Sequence, residues 1–239
     1  MNTSPHFDRR WWYGLPLALL ALMLAFEPSA LDFALSDLFY VQGQGFIGRH
    51  NDFLEDVLHD RAKQLVIVIG VLAIAGFLLS LLPTRLRPLR RTLGYLVLAM
   101  ALSTSFVTPL KKVSQMHCPW SLQQYGGVEH FSPLLGPRAE PVEKPGNCWP
   151  GGHAAAGFAL FALFFALRNS HPRSARAALI AALTLGALFS LVRIAQGAHF
   201  LSHNLWTALL CWLICLGLYD AMLYRPQRAA LPLPAAARA

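Results

Sequence analysis

Six apolar stretches most constrain what this chain of 239 residues can fold into. A helix needs roughly 20 mostly apolar residues to cross the hydrocarbon core of a bilayer, and each stretch comes near that length. The candidate spans are residues 11–27, 64–82, 92–110, 152–168, 177–197 and 203–223. With 55% hydrophobic and only 13% charged residues, the chain is too apolar for an ordinary soluble domain. The sequence therefore predicts an all-α, polytopic membrane protein with six transmembrane helices.

The arginines indicate how these spans are oriented. Most of them lie in the N-terminal segment, in the loops between the second and third and between the fourth and fifth spans, and at the C-terminus. By the positive-inside rule this side is cytoplasmic. We therefore expect a multi-pass protein of a bacterial inner membrane with both termini in the cytoplasm. The net charge of +8 is scattered in short clusters, which argues against a nucleic-acid partner.

We interpret residues 1–224 as a single membrane domain and the Pro- and Ala-rich residues 225–239 as a disordered cytoplasmic tail. Within the outer segment 28–62, "LDFALSDLFY" and "NDFLEDVLHDRAK" carry apolar residues at three- and four-residue spacing. This spacing predicts amphipathic helices that lie at the membrane interface. Such helices either pack against the bundle or guide lipid, and the sequence leaves both readings open.

Three polar segments fall at the outer, periplasmic ends of the predicted spans. "TPLKKVSQMHCPW" ends the third span, "PGGH" begins the fourth, and "VRIAQGAHFLSHNLW" joins the fifth to the sixth. Ionisable residues at this depth are costly, so a set of them at one face predicts a functional site.

The residue types in these segments suit the binding of a phosphate group. Gly151 and Gly152 open a helix, where backbone N–H groups point outward and an anion can approach closely. Lys111 and Arg193 would add cationic donors, and the planar guanidinium matches phosphoryl oxygens. Lys112 is the more natural candidate of the two lysines for extending its ammonium group to the interface.

Histidines supply the remaining chemistry. Hydrolysis needs a nucleophile and a proton donor for the leaving oxygen, and His153 and His199 provide both. His203 follows His199 by four residues, which places it on the same helix face to orient the His199 ring. The same pair could begin a metal site, but no Glu follows in the pattern of metalloproteases and no further ligands are evident. We therefore expect neither a metal nor a cofactor.

At these residues the sequence resembles the type 2 phosphatidic acid phosphatase superfamily, a family of integral-membrane lipid phosphatases. Its three motifs are K-x-x-x-x-x-x-R-P, P-S-G-H and S-R-x-x-x-x-x-H-x-x-x-D. Here they stand as "KKVSQMHCP" at 111–119, "PGGH" at 150–153 and "VRIAQGAHFLSH" at 192–203. The resemblance extends over roughly residues 60–220, and the order and spacing of the motifs agree with it.

This resemblance implies a metal-independent hydrolase. His199 would attack phosphorus to form a phosphohistidine, His153 would protonate the leaving group, and Lys111 and Arg193 would clamp the phosphate. The substrate would be a lipid phosphate or diphosphate, such as undecaprenyl diphosphate, phosphatidylglycerol phosphate or a lipid A phosphate, reached at the periplasmic face. Two alternatives remain: a phosphotransferase of the same mechanism, and a catalytically silent relative that binds or moves lipid phosphates.

The sequence departs from the family motifs at three positions. Cys118 replaces the first-motif arginine, Gly151 replaces the second-motif serine, and His203 replaces the final aspartate, with Asn204 beside it. Either His203 or Asn204 would then orient His199. Three other cations could take the place of the missing arginine: Lys112, Arg138 and Lys144.

Two of the four cysteines lie on the side assigned to the periplasm, where disulfides form and persist. They are Cys118 and Cys148, whereas Cys211 and Cys215 lie within the sixth span and are typical of apolar packing. We predict a Cys118–Cys148 disulfide that ties the intervening loop to the start of the fourth span. The alternative is two free thiols, and a bridge requires Cα atoms within roughly 7 Å.

Overall fold

The computed structural model describes residues 8–49, 62–136 and 145–225, and these are mostly helical. Their α-helices are α1 (Arg9–Ala25), α2 (Ser29–Asp37), α3 (Ala62–Leu81), α4 (Arg90–Ser105), α5 (Val107–Ser114), α6 (Gly152–Phe158), α7 (Phe161–Leu167), α8 (Pro172–Ala195) and α9 (Leu201–Tyr219). A two-stranded antiparallel hairpin, β1 (Tyr40–Val41) and β2 (Gly45–Phe46), follows α2. Short 3-10 turns occur at Arg87–Leu89, Pro119–Ser121 and Gln123–Tyr125, and a π-helical turn at Asp220–Tyr224.

Within the described residues, four helical segments are long and apolar enough to cross a membrane. They are Gln64–Leu81, Arg87–Ser121, Pro172–Ala195 and Leu201–Tyr224. The pair formed by α1 and α2, bent by 86°, makes a fifth if it is counted as one span. The apolar helix Gly152–Leu167, at the place of the predicted fourth span, is shorter. The chain is therefore mostly helical, with four to five apolar helices of spanning length among its described residues, and the six full spans of the prediction are not confirmed.

The predicted third span, 92–110, is divided between α4 and α5 at Phe106. Pro109 explains the division, because it has no N–H to donate to the carbonyl of Ser105 and its ring crowds the preceding turn. The bond from the Leu110 N–H to the Phe106 carbonyl is correspondingly long, at 3.4 Å. The break frees α5 to carry the first motif at its own angle.

Helices α6 and α7 pack against α8 and α9, and α4 packs against α3, α7 and α9. At the α6–α8 contact, a Cβ on Gly157 would collide with the backbone of Gly186. Small residues let membrane helices approach this closely. The tight contact fixes the depth of α6, and with it the second motif, relative to α8.

At the end of the bundle opposite the three motifs, the first and last described helices are joined. The Trp12 and Trp212 rings stack with centroids 5.7 Å apart. Asp220 is buried and accepts from Arg9 at 2.7 Å and from Arg225 at 3.2 Å. The buried charge is thus paired on two sides, as burial of a carboxylate requires.

A layer that we call the cap covers the other end, where α5 and α8 end and α6 and α9 begin. It consists of α2, the β1–β2 hairpin with the following residues 47–49, and residues 115–136. It is attached by backbone bonds from Gly48 to Ala195 (3.0 Å) and from Trp120 to Gly197 (2.9 Å). Of the two stretches predicted to form interfacial helices, the first contains most of α2, and its position at a membrane interface stays a prediction. Most of the second stretch, in residues 50–61, and the predicted tail beyond residue 225 lie outside the described residues.

Candidate active site

The third motif turns sharply between α8 and α9. Gly197 has φ of 69°, a left-handed conformation that glycine adopts without a Cβ penalty after a helix end. The N–H groups of Ala198 and His199 both return to the Arg193 carbonyl, at 2.8 and 3.3 Å. The turn therefore holds His199 against the end of the helix that carries Arg193.

His199 lies outside the helices and is buried, with 2% of its surface exposed. Burial lowers its pKa well below the ordinary 6.5, and the charges of His203, Lys111, Arg193 and His153 lower it further. The three motifs thus converge on this ring, as their placement at one face predicts. His199 is held neutral, the form in which a histidine can act as a nucleophile.

The second motif lies between α5 and α9. The Gly151 N–H donates to the His203 carbonyl at 3.2 Å, and the Ser114 hydroxyl donates to the Trp149 carbonyl at 2.9 Å. A Cβ built on Gly152 would lie 3.8 Å from Lys111 Nζ. The N–H group of Gly151 is therefore already hydrogen-bonded within the protein, whereas Gly152 lies directly beside the ammonium group of Lys111.

Arg193 contacts Gln196 and Trp120, neither of which the family motif specifies. Its Nη1 donates to Gln196 Oε1 at 2.7 Å, and its guanidinium carbon lies 5.8 Å from the centroid of the Trp120 ring. The three-residue spacing of Arg193 and Gln196 on one helix could have indicated the first contact. Nothing in the sequence indicates the second, because Trp120 belongs to the cap. Lys112 is exposed at the end of α5.

The two candidates for orienting His199 occupy different places. The His199 and His203 ring centroids are 6.0 Å apart in an edge-to-face arrangement. The Asn204 amide instead donates to the Phe200 carbonyl at 3.1 Å, and its oxygen lies where a Cβ on Gly151 would be. His203 is therefore the neighbour of His199, and Asn204 fills the space of the serine side chain that Gly151 replaces.

Cys118 and Cys148 form the disulfide that the sequence predicts, with Cα atoms 5.2 Å apart. Sγ of Cys148 lies 3.2 Å from the Ala198 carbonyl, next to His199. The bridge therefore fixes the cap segment to the turn that carries His199. Two cations considered as substitutes for the missing arginine, Arg138 and Lys144, lie outside the described residues.

A carboxylate from the cap also reaches this region. Asp32 on α2 is 3% exposed and accepts from the backbone N–H of Ser202 at 2.7 Å and from its hydroxyl at 2.5 Å. It thereby caps the first turn of α9, where backbone N–H groups have no partner within the helix. No sequence motif marked Asp32 as part of the site.

A pocket of about 290 Å³ opens beside Lys111, Gly152 and His153. The rest of its wall is made by residues with small or apolar groups on α4, α5, α6 and α8: Thr104, Val107, Thr108, Ala156 and Phe189. His199 does not line this pocket, so a ligand would approach it past Lys111 and His153. Among the described residues, no three His, Cys, Asp or Glu side chains lie close enough together to hold a metal ion.

Comparison with known proteins matches residues 92–227 to the model of the PAP2 superfamily. This range covers more than half of the chain and includes all three motifs. No curated protein and no solved structure gives a significant match. The extent of the match shows that the chain belongs to the PAP2 superfamily.

Proposed function

We propose that this protein is a membrane lipid phosphatase that hydrolyses a lipid phosphate or diphosphate through a phosphohistidine at His199. The observation that carries the proposal is the burial of His199 among two cations and two further histidines, which lowers its pKa. Members of the PAP2 superfamily are generally phosphatases acting on phosphate esters. The proposed setting is the periplasmic face of a bacterial inner membrane.

The geometry suggests which atoms react. Nδ1 of His199 and Nδ1 of His153 are both buried, which leaves Nε2 of each ring for the chemistry. Nε2 of His199 would attack phosphorus while His153 protonates the departing oxygen. Lys111 and Arg193 would hold the phosphoryl oxygens, whose charge grows in the transition state. Water then attacks the phosphohistidine and releases phosphate.

The pocket beside Lys111 supports a lipid substrate. Its polar end holds Lys111 and His153, and its other wall, with Val107, Ala156 and Phe189, is apolar. A phosphate head with a greasy tail matches both halves, whereas a small sugar phosphate would leave the apolar wall facing water. Undecaprenyl diphosphate, phosphatidylglycerol phosphate and lipid A phosphates all have this form.

One observation favours the alternative of a catalytically silent lipid-phosphate binder. Cys118, at the position of the motif arginine, is held in a disulfide and cannot act as a cationic donor. His203 likewise carries no fixed negative charge to stabilise an imidazolium. A phosphotransferase would use the same residues but pass the phosphoryl group to an acceptor other than water.

The test is phosphate release from the purified protein in detergent, with a panel of the three lipid classes. We expect His199→Ala and His153→Ala each to lower turnover by at least about 100-fold, because each removes one half of the nucleophile and acid pair. The matched control is His171→Ala, since this exposed histidine precedes α8 at the opposite end of the bundle. Retention of more than about a tenth of wild-type activity in either site variant contradicts the assignment.

The same assay separates the alternatives. Transfer of phosphate to a second lipid without its release to water would identify a phosphotransferase. Binding of the lipid phosphates without turnover by the wild-type protein would identify the silent relative.

A further inference from the structure

A second cavity, of about 130 Å³, is lined by His203. Its wall is formed by the end of α1, the α1–α2 junction, the cap and the first turns of α9, together with Trp149 just before α6. Glu27, Ser202 and His203 belong to this wall. It shares no lining residue with the pocket beside Lys111. The mechanism above therefore does not account for it.

Two residues of this wall carry buried polar atoms that lack a hydrogen-bond partner of good geometry among the described residues. In the described part of the chain, both ring nitrogens of His203 and Nε1 of Trp149 have no hydrogen-bond partner of good geometry, although the Cys148 backbone lies near the His203 ring. His203 is 1% exposed and Trp149 is 7% exposed. Buried groups of this kind are nearly always bonded to protein or to ordered water. At about 30 Å³ per molecule, the cavity has room for about four waters.

Negative charge lies on one side of the cavity, at Glu27, and positive charge lies beyond the other side, at Lys111. Glu27 contributes a carboxylate whose Oε1 accepts from the Leu134 N–H at 3.0 Å, and a carboxylate can accept further bonds. The charge of Glu27 also acts on Asp32, which is itself bonded to Ser202. On the other side, His203 faces the His199 ring and the positive charge of Lys111.

We propose that water in this cavity connects Glu27 to His203 and forms a proton relay for His199, an inference that rests on the phosphatase function proposed above. In this arrangement Glu27, acting through His203, supplies the negative charge that the motif aspartate would place beside the nucleophile. Glu27 is a positioning residue, because it does not touch the substrate.

The proton transfers balance in both half-reactions. As Nε2 of His199 bonds to phosphorus, the bond to the leaving oxygen breaks and that oxygen takes a proton from His153. Because Nδ1 of His199 forms no hydrogen bond to His203 in the structure, the two facing rings must first turn toward each other. The Nδ1 proton of His199 then passes to His203, and His203 gives its other ring proton through water to Glu27. When the water oxygen bonds to phosphorus, the bond from phosphorus to Nε2 of His199 breaks and His153 takes a proton from that water. The relay then returns its proton to Nδ1 of His199.

The test compares Glu27→Gln with wild type in the lipid phosphatase assay. Glutamine keeps an oxygen to accept from Leu134 but cannot take up a proton, so kcat should fall about tenfold or more while KM stays within about twofold. The matched control is Glu129→Gln, because Glu129 is also half-buried in the cap but pairs with His117 away from the cavity. Glu129→Gln should behave like wild type.

A second variant distinguishes a relay from a structural role. His203→Asp restores a carboxylate beside His199, so adding Glu27→Gln to it should change kcat by less than about twofold. An additional loss as large as in the wild-type background would show that Glu27 acts on the fold and would overturn the relay.

Failure of the relay and failure of the proposed function give different results. Wild-type turnover with an unaffected Glu27→Gln overturns the relay and leaves the phosphatase function standing. If wild type turns over no lipid phosphate, the phosphatase function fails, and NMR of ¹⁵N-labelled histidine then tests the remaining link. Glu27→Gln should shift the ring-nitrogen signals of His203 but not those of His171, and unchanged His203 signals would refute the connection.

Discussion

The carboxylate of Asp32 accepts two hydrogen bonds from Ser202, although the two residues are 170 positions apart in the chain. Through them, a helix of the cap holds the first turn of α9, three residues after His199. The contact links the position of the cap to the position of the proposed nucleophile.

We predict that Asp32→Ala lowers the free energy of unfolding by about 1–3 kcal/mol, because it leaves buried donors of Ser202 without an acceptor. Thermal unfolding of the detergent-solubilised protein measures this loss. The control is Asp8→Ala, since Asp8 caps α1 with an exposed side chain and should contribute less. Equal stability of Asp32→Ala and wild type would contradict the role of Asp32 in capping the first turn of α9.

Arg193→Lys should reduce phosphatase activity clearly although the charge is kept. A lysine ammonium is a point charge that reproduces neither the planar two-donor geometry nor the contact with Gln196. The measurement is kcat/KM for Arg193→Lys and Arg193→Ala side by side. If lysine restored wild-type activity while alanine abolished it, charge alone would matter and the argument from geometry would be wrong.

His199 should remain neutral well below pH 6.5, because burial and the neighbouring charges lower its pKa. An ordinary histidine takes up a proton near pH 6.5 as the pH falls, whereas His199 stays unprotonated until the pH reaches its lowered pKa. Folding stability contributed by neutral His199 is therefore full above pH 6.5 and declines below it, since the unfolded chain binds the proton more readily.

Titration of ¹⁵N-labelled histidine by NMR measures this pKa directly. The His199 signals are assigned by their loss in His199→Ala. Protonation of His199 at or above pH 6.5 would contradict the buried environment.

The Cys118–Cys148 disulfide should be present in protein isolated from its membrane. Mass spectrometry after alkylation without reduction should find neither thiol modified, whereas prior reduction should expose both. Replacing both cysteines by serine should lower stability by about 3–4 kcal/mol, since the bridge closes a loop between positions 30 residues apart. Alkylation of both cysteines without reduction would refute the bridge.

The sequence predicts the helical fold from the length of its apolar stretches, which is a local property. It predicts the meeting of the three motifs because each lies at the same-side end of a predicted span. The break at Phe106 could also have been predicted from Pro109, which lies inside the expected third span. The shortness of Gly152–Leu167 could not, since its apolar run is 16 residues followed by Arg168 and reads as a nearly complete span.

The cap is the part that the sequence did not predict. Its hairpin has strands of only two residues, too short for an alternating pattern, and its contacts join distant residues such as Trp120 and Arg193. Asp32 lies in a stretch whose pattern predicts an amphipathic helix at the membrane interface, so its burial against α9 depends on tertiary packing alone.

Arg9 and Arg225 bind the two oxygens of one aspartate, Asp220, so the beginning and the end of the described chain meet at a single point. The two ends of the described helices therefore lie side by side. A short linker between these positions, with new ends opened in a solvent-facing turn such as residues 82–86, would permute the order of the helices without changing which of them are neighbours. The order in which the helices enter a membrane could thus be varied independently of the structure they finally form.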